Sequence, residues 1–467
     1  MAGGQWTETN KILPGIYIKY KTVSEASATV GARGVVAIAR KLPWGPYSKP
    51  IEIRDTLNLK DQLGFDIASD EALFLRQIFL GSDLTRGASK VLVARLKEDG
   101  GVNASVTVGN LKATATFSGI LGNDLSIIVT PVLGTEKENN PDEYYQWLVE
   151  TVLKNEIIYS EVVGVYNEAG DPNNKEGLVQ DLKGNDYIKF TGAGEFEPTV
   201  GAALTGGIPG DIAADAHAAF LAELEKKDFN VVIYDGDNTV TKSIYKSFVD
   251  RMCIDNGRYV TGVMSNYLSP NSEYIISVNN GVTIETGETL TPEQCTWWVG
   301  GATAGANYFE SLTYHQYPGA TGVYPEYTNV ELEERISEGS FTFFKNEDNI
   351  LVLTDINTFH SFTPTKARAL SKNRVMRVIY QICNDLYSNY SKQYIGKVDV
   401  NAAGVDLVKA LGINYLKQIQ TNNGIKNFDP ENDYIVKEFE IDSMKIDMYI
   451  QPVDSLEKIY ISMTIQG

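Results

Sequence analysis

Residues 34–39, Gly-Val-Val-Ala-Ile-Ala, form a short apolar run that is typical of a β-strand buried on both faces. The same pattern recurs in the runs at residues 90–95, 229–234 and 259–264. Helical periodicity separates these runs, and strands that alternate with helices favour a mostly parallel sheet with helices on its faces. We therefore predict one α/β domain in which residues 23–96 pack together with residues 201–345.

Antiparallel β-structure is predicted between the two halves of this α/β domain. Apolar residues alternate with polar ones from Val102 to Val108, and the alternation resumes from Leu111 to Phe117. Gly109-Asn110 lies between the two runs and is typical of a two-residue hairpin turn. The sequence therefore predicts an inserted antiparallel β-sandwich at residues 97–200.

The last third of the chain predicts a C-terminal α+β domain at residues 346–457. A long helix is expected from Thr365 or Ser371 to Tyr394, because apolar residues recur there on one stripe. A second helix is expected from Ala402 to about Gln420. Hairpin strands follow at residues 435–441 and 445–453, so helices and an antiparallel hairpin share this domain.

Both ends of the sequence have the pattern of exposed strands. Apolar residues alternate along residues 458–467, and residues 1–22 form an N-terminal arm with a second extended apolar segment. The residues assigned to these arms are Ile12, Ile16, Tyr17, Ile18, Tyr20, Ile459, Tyr460, Ile461, Met463 and Ile465. An unpaired strand exposes N–H and C=O groups that pair readily with another chain. Two interpretations stay open: the strands fold back onto their own sheet, or they are donated to another copy.

Composition excludes several classes of protein. The chain has 467 residues, three cysteines and a formal net charge of −19, and a charge of this sign argues against general nucleic-acid binding. No apolar run approaches the ~18 residues that a membrane span needs, so we expect no membrane insertion. The N-terminus has no secretory signal pattern, so we expect the chain to be made and kept in a cytoplasm.

One stretch resembles a catalytic motif. Asp235-Gly-Asp237-Asn-Thr239 follows an apolar strand, as in the Mg²⁺-dependent phosphatases of the haloacid dehalogenase type. The metal-binding Gly-Asp-x-x-x-Asp pattern of that family occurs here before the motif, whereas the family places it after. The alternative interpretation is a polar turn in which Thr239 or Thr241 caps a helix. We predict no catalysis, no metal site and no cofactor, and keep the phosphatase as the alternative function.

Cations are concentrated near the start of the predicted long helix. The group consists of Lys366, Arg368, Lys372, Arg374 and Arg377, with Lys409 further along the chain. Cations at a helix N-terminus oppose the helix dipole by ~0.3–1 kcal/mol each, so another interaction must favour them. Two explanations stay open: an acidic partner surface, or pairing with carboxylates of the same chain.

Many short motifs of the sequence resemble those of contractile-tail sheath proteins. This family is found in bacteriophage tails, prophage-like particles and R-type bacteriocins. The motifs are Pro14-Gly15-Ile16-Tyr17, Arg33-Gly34-Val35-Val36, Trp44-Gly45-Pro46, Gly122-Asn123-Asp124, Leu204-Thr205-Gly206-Gly207, Ile356-Asn357-Thr358, Asn373-Arg374-Val375, Tyr394-Ile395-Gly396-Lys397 and Pro452-Val453-Asp454-Ser455. They occur in order along nearly the whole chain. The small size of the chain, with only one inserted β domain, resembles the simpler sheaths of Gram-positive prophage-like particles.

The resemblance implies a structural protein that assembles with copies of itself as stacked hexameric rings. Copies would be joined through exchanged N- and C-terminal strands, and contraction would drive an inner tube through a bacterial envelope. The implied partners are the inner tail tube protein and the baseplate and tail terminator proteins. The cations named above would be candidate contacts with the tube. The resemblance also implies assembly in the bacterial cytoplasm and presence in the released phage tail or bacteriocin particle. A non-contractile shell that also exchanges strands is a third alternative.

Overall fold

The computed structural model describes residues 2–4, 15–17, 30–54, 59–138 and 140–465. The chain forms two compact units. The larger unit consists of Ala32–Tyr380 and Asp454–Gly467, and the smaller unit of Met1–Gly31 and Gln381–Val453. The division between the units falls between Tyr380 and Gln381. Residues 346–380 belong to the larger unit because their backbone is bonded into it, as in the 2.8 Å hydrogen bond from the Thr358 N–H to the Ile275 carbonyl.

A seven-stranded sheet forms the centre of the larger unit. In spatial order its strands are Ser340–Phe341, Ile275–Val278, Thr261–Ser265, Val231–Ile233, Val35–Arg40, Lys90–Arg95 and Ile51–Ile53. All neighbouring strands are parallel except the edge strand Ile51–Ile53, which is antiparallel to its neighbour. Strands from residues 35–95 and from residues 231–341 thus share one sheet.

Helices cover both faces of this sheet. On one face Val36 and Ile38 pack in the same core as the helices Leu59–Leu63, Leu73–Leu80 and Pro292–Gly305. On the other face Ala37 and Ala39 pack in the same core as the helices Ala216–Leu224 and Thr239–Asp250. Successive strand residues point to opposite faces, so burial on both sides explains the continuous apolar run at residues 34–39.

Two antiparallel sheets within residues 105–203 share one apolar core, which includes Leu111, Val129, Val149 and Ile188. The four-stranded sheet has the order Glu156–Val163, Trp147–Leu153, Leu125–Pro131, Thr199–Ala203. The three-stranded sheet has the order Ile188–Thr191, Leu111–Ala115, Ser105–Val108. The predicted hairpin turn is confirmed, since Val108 pairs with Leu111 around Gly109, which has a φ of +53°.

The remaining elements of the larger unit are short. Its other strands are Glu98–Asp99 with Asp211–Ile212, Glu136–Lys137 with Asn140–Tyr144, Gly281–Ile284 with Thr289–Leu290 and Ala320–Tyr324, and Phe343–Asn346 with Asn349–Val352. Among its described residues, a further helix lies at Asn329–Ser337, and the helix Asn373–Gln393 begins in this unit. Short 3₁₀ turns lie at Asp70–Ala72, Ile120–Asp124, Val179–Asp181 and Arg368–Ser371, and a π-helical turn lies at Arg251–Asp255.

The smaller unit is built on the helix Ala402–Thr421 and the hairpin Tyr434–Glu440 and Ser443–Met448. Tyr434 is fully buried, and a Cβ added to Gly412 would lie 2.2 Å from its ring, so the helix and hairpin require glycine at this contact. Near the N-terminus Ala2–Gly4 pairs in parallel with Gly15–Tyr17. The predicted long helix extends over Asn373–Gln393, after the 3₁₀ turn.

A buried ion pair fixes the β-rich segment to the central sheet. The side chains of Arg95 and Glu98 are each 1% exposed, and Arg95 Nη2 lies 3.1 Å from Glu98 Oε2. Arg95 also donates to the Ser118 carbonyl at 3.0 Å, and Glu98 accepts from the Gly210 N–H at 3.2 Å. The Tyr47 ring lies 4.6 Å from the Arg95 guanidinium. Four chain segments thus meet at one desolvated pair of charges.

We expect Arg95→Met to lower the free energy of unfolding by about 3–5 kcal/mol, because the buried Glu98 carboxylate would lose its cation. Lys97→Met is the matched control, since Lys97 and its partner Asp215 are 43% and 64% exposed and such surface pairs contribute about 0–1 kcal/mol. Chemical denaturation followed by tryptophan fluorescence measures both. Equal losses in the two variants would contradict this assignment.

Candidate functional site

The C-terminal segment of the described chain has no secondary structure. Residues 456–465 form neither helix nor strand, so the described part of the strand predicted at residues 458–467 is not formed within the single chain. The side chains at the predicted arm positions are exposed by 72–87%: Ile459, Tyr460, Ile461, Met463 and Ile465. A strand requires a neighbouring strand, and the structure shows none beside this segment among the residues that it describes. The segment is therefore an apolar, unpaired extension.

The start of this extension is anchored to the larger unit. The Lys372 ammonium lies 2.5 Å from the Glu457 carboxylate, and the Thr313 hydroxyl donates to the same carboxylate at 3.1 Å. The Thr313 hydroxyl also accepts from the Asp355 N–H at 2.9 Å. Glu457 therefore fixes the point from which the exposed segment extends.

Asp355 is the centre of a buried polar network beside this anchor. Its carboxylate pairs with Arg377, and the two side chains are 1% and 2% exposed. The same carboxylate accepts from Asn373 Nδ2 at 2.8 Å and from the Leu312 N–H at 3.0 Å, while Arg377 donates to the Glu310 carbonyl at 2.8 Å. The prediction that Arg377 is a surface contact does not fit this position, because its guanidinium is enclosed by the chain's own acceptors.

The other predicted tube contacts also have acidic neighbours in the same chain. Lys366 lies 2.6 Å from Glu273, whose side chain is 8% exposed, and Lys409 lies 3.2 Å from the exposed Glu431. Burial lowers the pKa of the Arg374 guanidinium, and the carboxylate of Asp454 acts in the opposite direction. Arg368 is exposed and has no ion-pair partner among the described residues.

These contacts explain the concentration of cations that the sequence shows near residue 372. Arg374 and Lys372 face Asp454 and Glu457, which come from a segment about 80 residues later in the chain. Sequence reasoning singled out the Pro452-Val453-Asp454-Ser455 motif but missed the pairing of its acids. The signal available was the recurrence of acids just before the apolar terminal segment.

The N-terminal arm is described only in part. Ile16 and Tyr17 lie in the strand Gly15–Tyr17, which pairs with Ala2–Gly4. Ile12, Ile18 and Tyr20 lie outside the described residues. The described part of this arm thus has extended backbone, as the sequence predicts.

The hairpin of the smaller unit has free edges within the described structure. It forms a two-stranded sheet, a size that is marginally stable alone in water. Phe439 and Ile441 at its tip are 66% and 96% exposed, and Tyr449 beyond its second strand is 62% exposed. Apolar side chains and unpaired strand edges make this hairpin a candidate site for pairing with a further strand.

The phosphatase motif is occupied by structural contacts. Asp235 Oδ2 lies 3.0 Å from Arg40 Nε and accepts from Trp297 Nε1 at 2.8 Å. Burial raises the pKa of the Asp235 carboxyl, while Arg40 and Trp297 act in the opposite direction. Neither Thr239 nor Thr241 is the helix cap; instead Asn238 accepts from the Thr241 N–H at 3.0 Å. The carboxylate that a phosphatase would use as nucleophile thus holds two structural elements together.

Among the described residues no three His, Cys, Asp or Glu side chains lie close enough to hold a metal ion. No described helix combines the length and apolar character needed to cross a bilayer. The unpaired terminal segment and the hairpin with free edges are therefore the candidate functional sites.

Comparison with known proteins decides the family. Residues 210–358 match the phage tail sheath protein central domain, residues 365–466 match the phage tail sheath C-terminal domain, and residues 33–96 match the domain III N-terminal region of the tail sheath protein Gp18. The chain belongs to the phage tail sheath protein family. This family consists of structural proteins of contractile injection systems, and it is not an enzyme family.

Two relatives of the sheath protein come from Bacillus subtilis strain 168. The uncharacterized protein YqbK is 33% identical and the phage-like element PBSX protein XkdK is 29% identical, each over the full length of both chains. The sheath tail protein of Desulfitobacterium hafniense is 34% identical, with 96% of this chain and 99% of that chain covered and a TM-score of 0.78. The fold also resembles the contracted helical sheath of the anti-feeding prophage, at 13% identity, 97% and 99% coverage and a TM-score of 0.57.

The sheath protein is expected to show no Mg²⁺-dependent hydrolysis of p-nitrophenyl phosphate, because Arg40 and Trp297 occupy the Asp235 carboxylate. The release of p-nitrophenol measures this directly. Hydrolysis that disappears in Asp235→Asn but persists in the control Asp228→Asn, which changes an exposed carboxylate, would contradict the assignment.

Arg377→Met is expected to destabilise the sheath protein by about 3–5 kcal/mol, since it leaves the Asp355 carboxylate buried without its cation. Lys409→Met serves as control and should change stability by about 0–1 kcal/mol, because its partner Glu431 is 79% exposed. Thermal unfolding of both variants under one buffer condition provides the comparison. A stable Arg377→Met variant would show that this pair is not required.

Proposed function

We propose that the chain polymerises as stacked hexameric rings around an inner tube, through exchanged N- and C-terminal strands, and contracts to drive the tube through a bacterial envelope. The observation that carries this proposal is the exposure of Ile459–Ile465. An alternating apolar segment that is unpaired in its own chain is suited to complete a sheet in another copy. Family membership and the fold of the contracted anti-feeding prophage sheath support the same conclusion.

The donor segment has the length of an ordinary strand. The seven residues 459–465 would span about 23 Å at ~3.3 Å per residue. When the strand is paired, its backbone groups gain the hydrogen bonds that the single chain does not provide. Each large apolar side chain that becomes fully buried contributes about 1.5–3 kcal/mol, so one arm can supply a strong link.

The proposed acceptor is the hairpin of the smaller unit in a neighbouring copy. Its second strand, Ser443–Met448, is similar in length to the donor and has a free edge among the described residues. Addition of the C-terminal arm would convert the marginal two-stranded sheet into a larger one. The N-terminal arm, with Ile12, Ile16, Tyr17, Ile18 and Tyr20, would join the same shared sheet from a further copy.

The contact is heterologous, because the arm of one copy meets the hairpin of the next. Head-to-tail contacts of this kind generate rings when the rotation closes and open helical assemblies when it does not. Stacked rings that are woven together by two different arms fit this geometry. During contraction, subunits would rotate as rigid bodies while the arms keep neighbouring copies connected.

Further partners belong to the same proposal. We assign the inner tube contact to Lys409. Lys366, Lys372, Arg374 and Arg377 have acidic neighbours within the larger unit, and Arg368 lines a cavity of that unit. The Lys409–Glu431 pair is exposed and can exchange with a partner carboxylate at little cost. Baseplate and tail terminator proteins would contact the two ends of the assembled sheath.

Deletion of residues 459–467 should leave a folded chain that does not form tubes. The deleted side chains at positions 459–465 are exposed, so the fold loses no buried contact, while copies lose the donated strand. Circular dichroism checks the fold and negative-stain microscopy checks assembly. Normal striated tubes from the truncated chain would exclude this arm as the link, and flat lattices from the intact chain would favour a non-contractile shell.

Proline substitutions test whether backbone hydrogen bonding carries the link. Ile461→Pro removes one N–H donor from the arm and restricts its backbone, so we expect at least a tenfold lower yield of sedimentable tubes. Ile461→Val keeps the donor and a β-branched side chain and should assemble like the unmodified chain. If both variants polymerise equally, the arm acts through side chains alone.

A further inference from the structure

A cavity of about 410 Å³ lies at the root of the C-terminal arm, within the larger unit. Its apolar lining includes Ile336, Phe359 and Phe362, and the two phenylalanine rings meet edge to face at 5.5 Å. Phe359 is buried, whereas Phe362 is 49% exposed. Arg368 and Lys458 also line the cavity. The cavity thus combines an apolar floor with cations.

The charge of this cavity is predominantly positive. Arg368, Lys372 and Lys458 line it together with one acid, Glu333. Lys372 is paired with Glu457, while neither Arg368 nor Lys458 has an ion-pair partner among the residues that the structure describes. An apolar segment that carries carboxylates has the chemistry to fill this cavity.

The hairpin tip of the smaller unit has that chemistry. Residues 438–442 read Glu-Phe-Glu-Ile-Asp, and Phe439 and Ile441 are 66% and 96% exposed. The carboxylates of Glu438, Glu440 and Asp442 have no cation partner within the described part of the chain. Such exposed apolar side chains between unpaired acids are complementary to the cavity in both polarity and charge.

We propose that the cavity binds the hairpin tip, residues 438–442, of the neighbouring copy that accepts the C-terminal arm. This inference rests on the strand exchange proposed above. Lys458 lines the cavity and is the residue directly before the arm. A neighbouring hairpin that pairs along residues 459–465, with its tip toward residue 459, would therefore place that tip close to the cavity. Ile441 and Phe439 would contact Phe362, and the acids would face Arg368 and Lys458.

Such docking would fix the register of the exchanged strand. A strand with side chains alternating at a period of two can slip by two residues and still bury the same face. The segment Ile459-Tyr460-Ile461-Ser462-Met463 repeats apolar residues at that period, so its own pattern distinguishes neighbouring registers weakly. A tip seated in a cavity at the arm's root permits one register only.

Cross-linking between co-assembled copies tests the docking. One population carries Arg368→Cys and the other carries Ile441→Cys, so a disulfide between the two introduced cysteines joins two copies. We expect covalent dimers on non-reducing gels of the tubes, at least tenfold above a control with Arg368→Cys and Tyr449→Cys. Tyr449 is also exposed but lies beyond the other end of the hairpin. Unmodified chains supply the background from Cys383. Tubes without the specific dimer would overturn the inference.

Charge exchange tests the same contact without cysteines. Arg368→Glu should lower the yield of sedimentable tubes at least tenfold, and Glu440→Arg in the same chain should restore at least half of the original yield. Loss without restoration, or no loss at all, would exclude the docking. Arm deletion separates the two proposals: if tubes form without residues 459–467, the strand exchange fails, whereas arm-dependent tubes without charge rescue reject only the docking.

Discussion

The terminal segment, residues 456–465, has no strand partner among the described residues, and the proposed assembly depends on this constraint. The described residues from Leu456 to Ile465 lie in no helix or strand, and the large apolar side chains from Ile459 onward are mostly exposed. Backbone N–H and C=O groups in folded proteins are nearly always paired when they are removed from water. Burial of this segment against any surface therefore requires strand partners, and a second copy can provide them.

The buried polar network gives this segment a defined origin. Glu457 is held by Lys372 and Thr313, and Thr313 contacts the Asp355 backbone beside the Asp355–Arg377 pair. Force applied to a donated strand would thus reach a rigid part of the larger unit. The exposed segment and its anchor differ in their contacts, since Glu457 is held by an ion pair and a hydrogen bond whereas the side chains from Ile459 to Ile465 are exposed. In the proposed assembly, the segment would act as the tether and the anchored unit would move as a rigid body during contraction.

Sequence patterns predicted the elements that carry a local signal. The parallel strands Val35–Arg40 and Lys90–Arg95 are continuous apolar runs, the hairpin has turn residues at Gly109, and the helix Ala402–Thr421 has a helical apolar period. Long-range pairing carries little local signal: the contact of Arg377 with Asp355 could not be read from the sequence, and the acids before the terminal segment did not by themselves identify Lys372 as the partner of Glu457. For the same reason, the sequence left an acidic partner surface open as an explanation for the cations near residue 372. The terminal strand pattern was visible, but whether it pairs within one chain is a property of the tertiary structure.

Strand exchange and specific docking have different physical roles in a contracting assembly. Backbone pairing is strong and insensitive to sequence, so it can hold copies together through a large rotation without fixing their register. A cavity that combines Arg368 and Lys458 with Phe362 would select the proposed tip by charge and polarity, and it lies beside the start of the tether. Exposed charge pairs contribute about 0–1 kcal/mol each, so most of the binding energy of the proposed tip would come from Phe439 and Ile441. The carboxylates would then determine the specificity of binding, and the apolar side chains would determine its affinity.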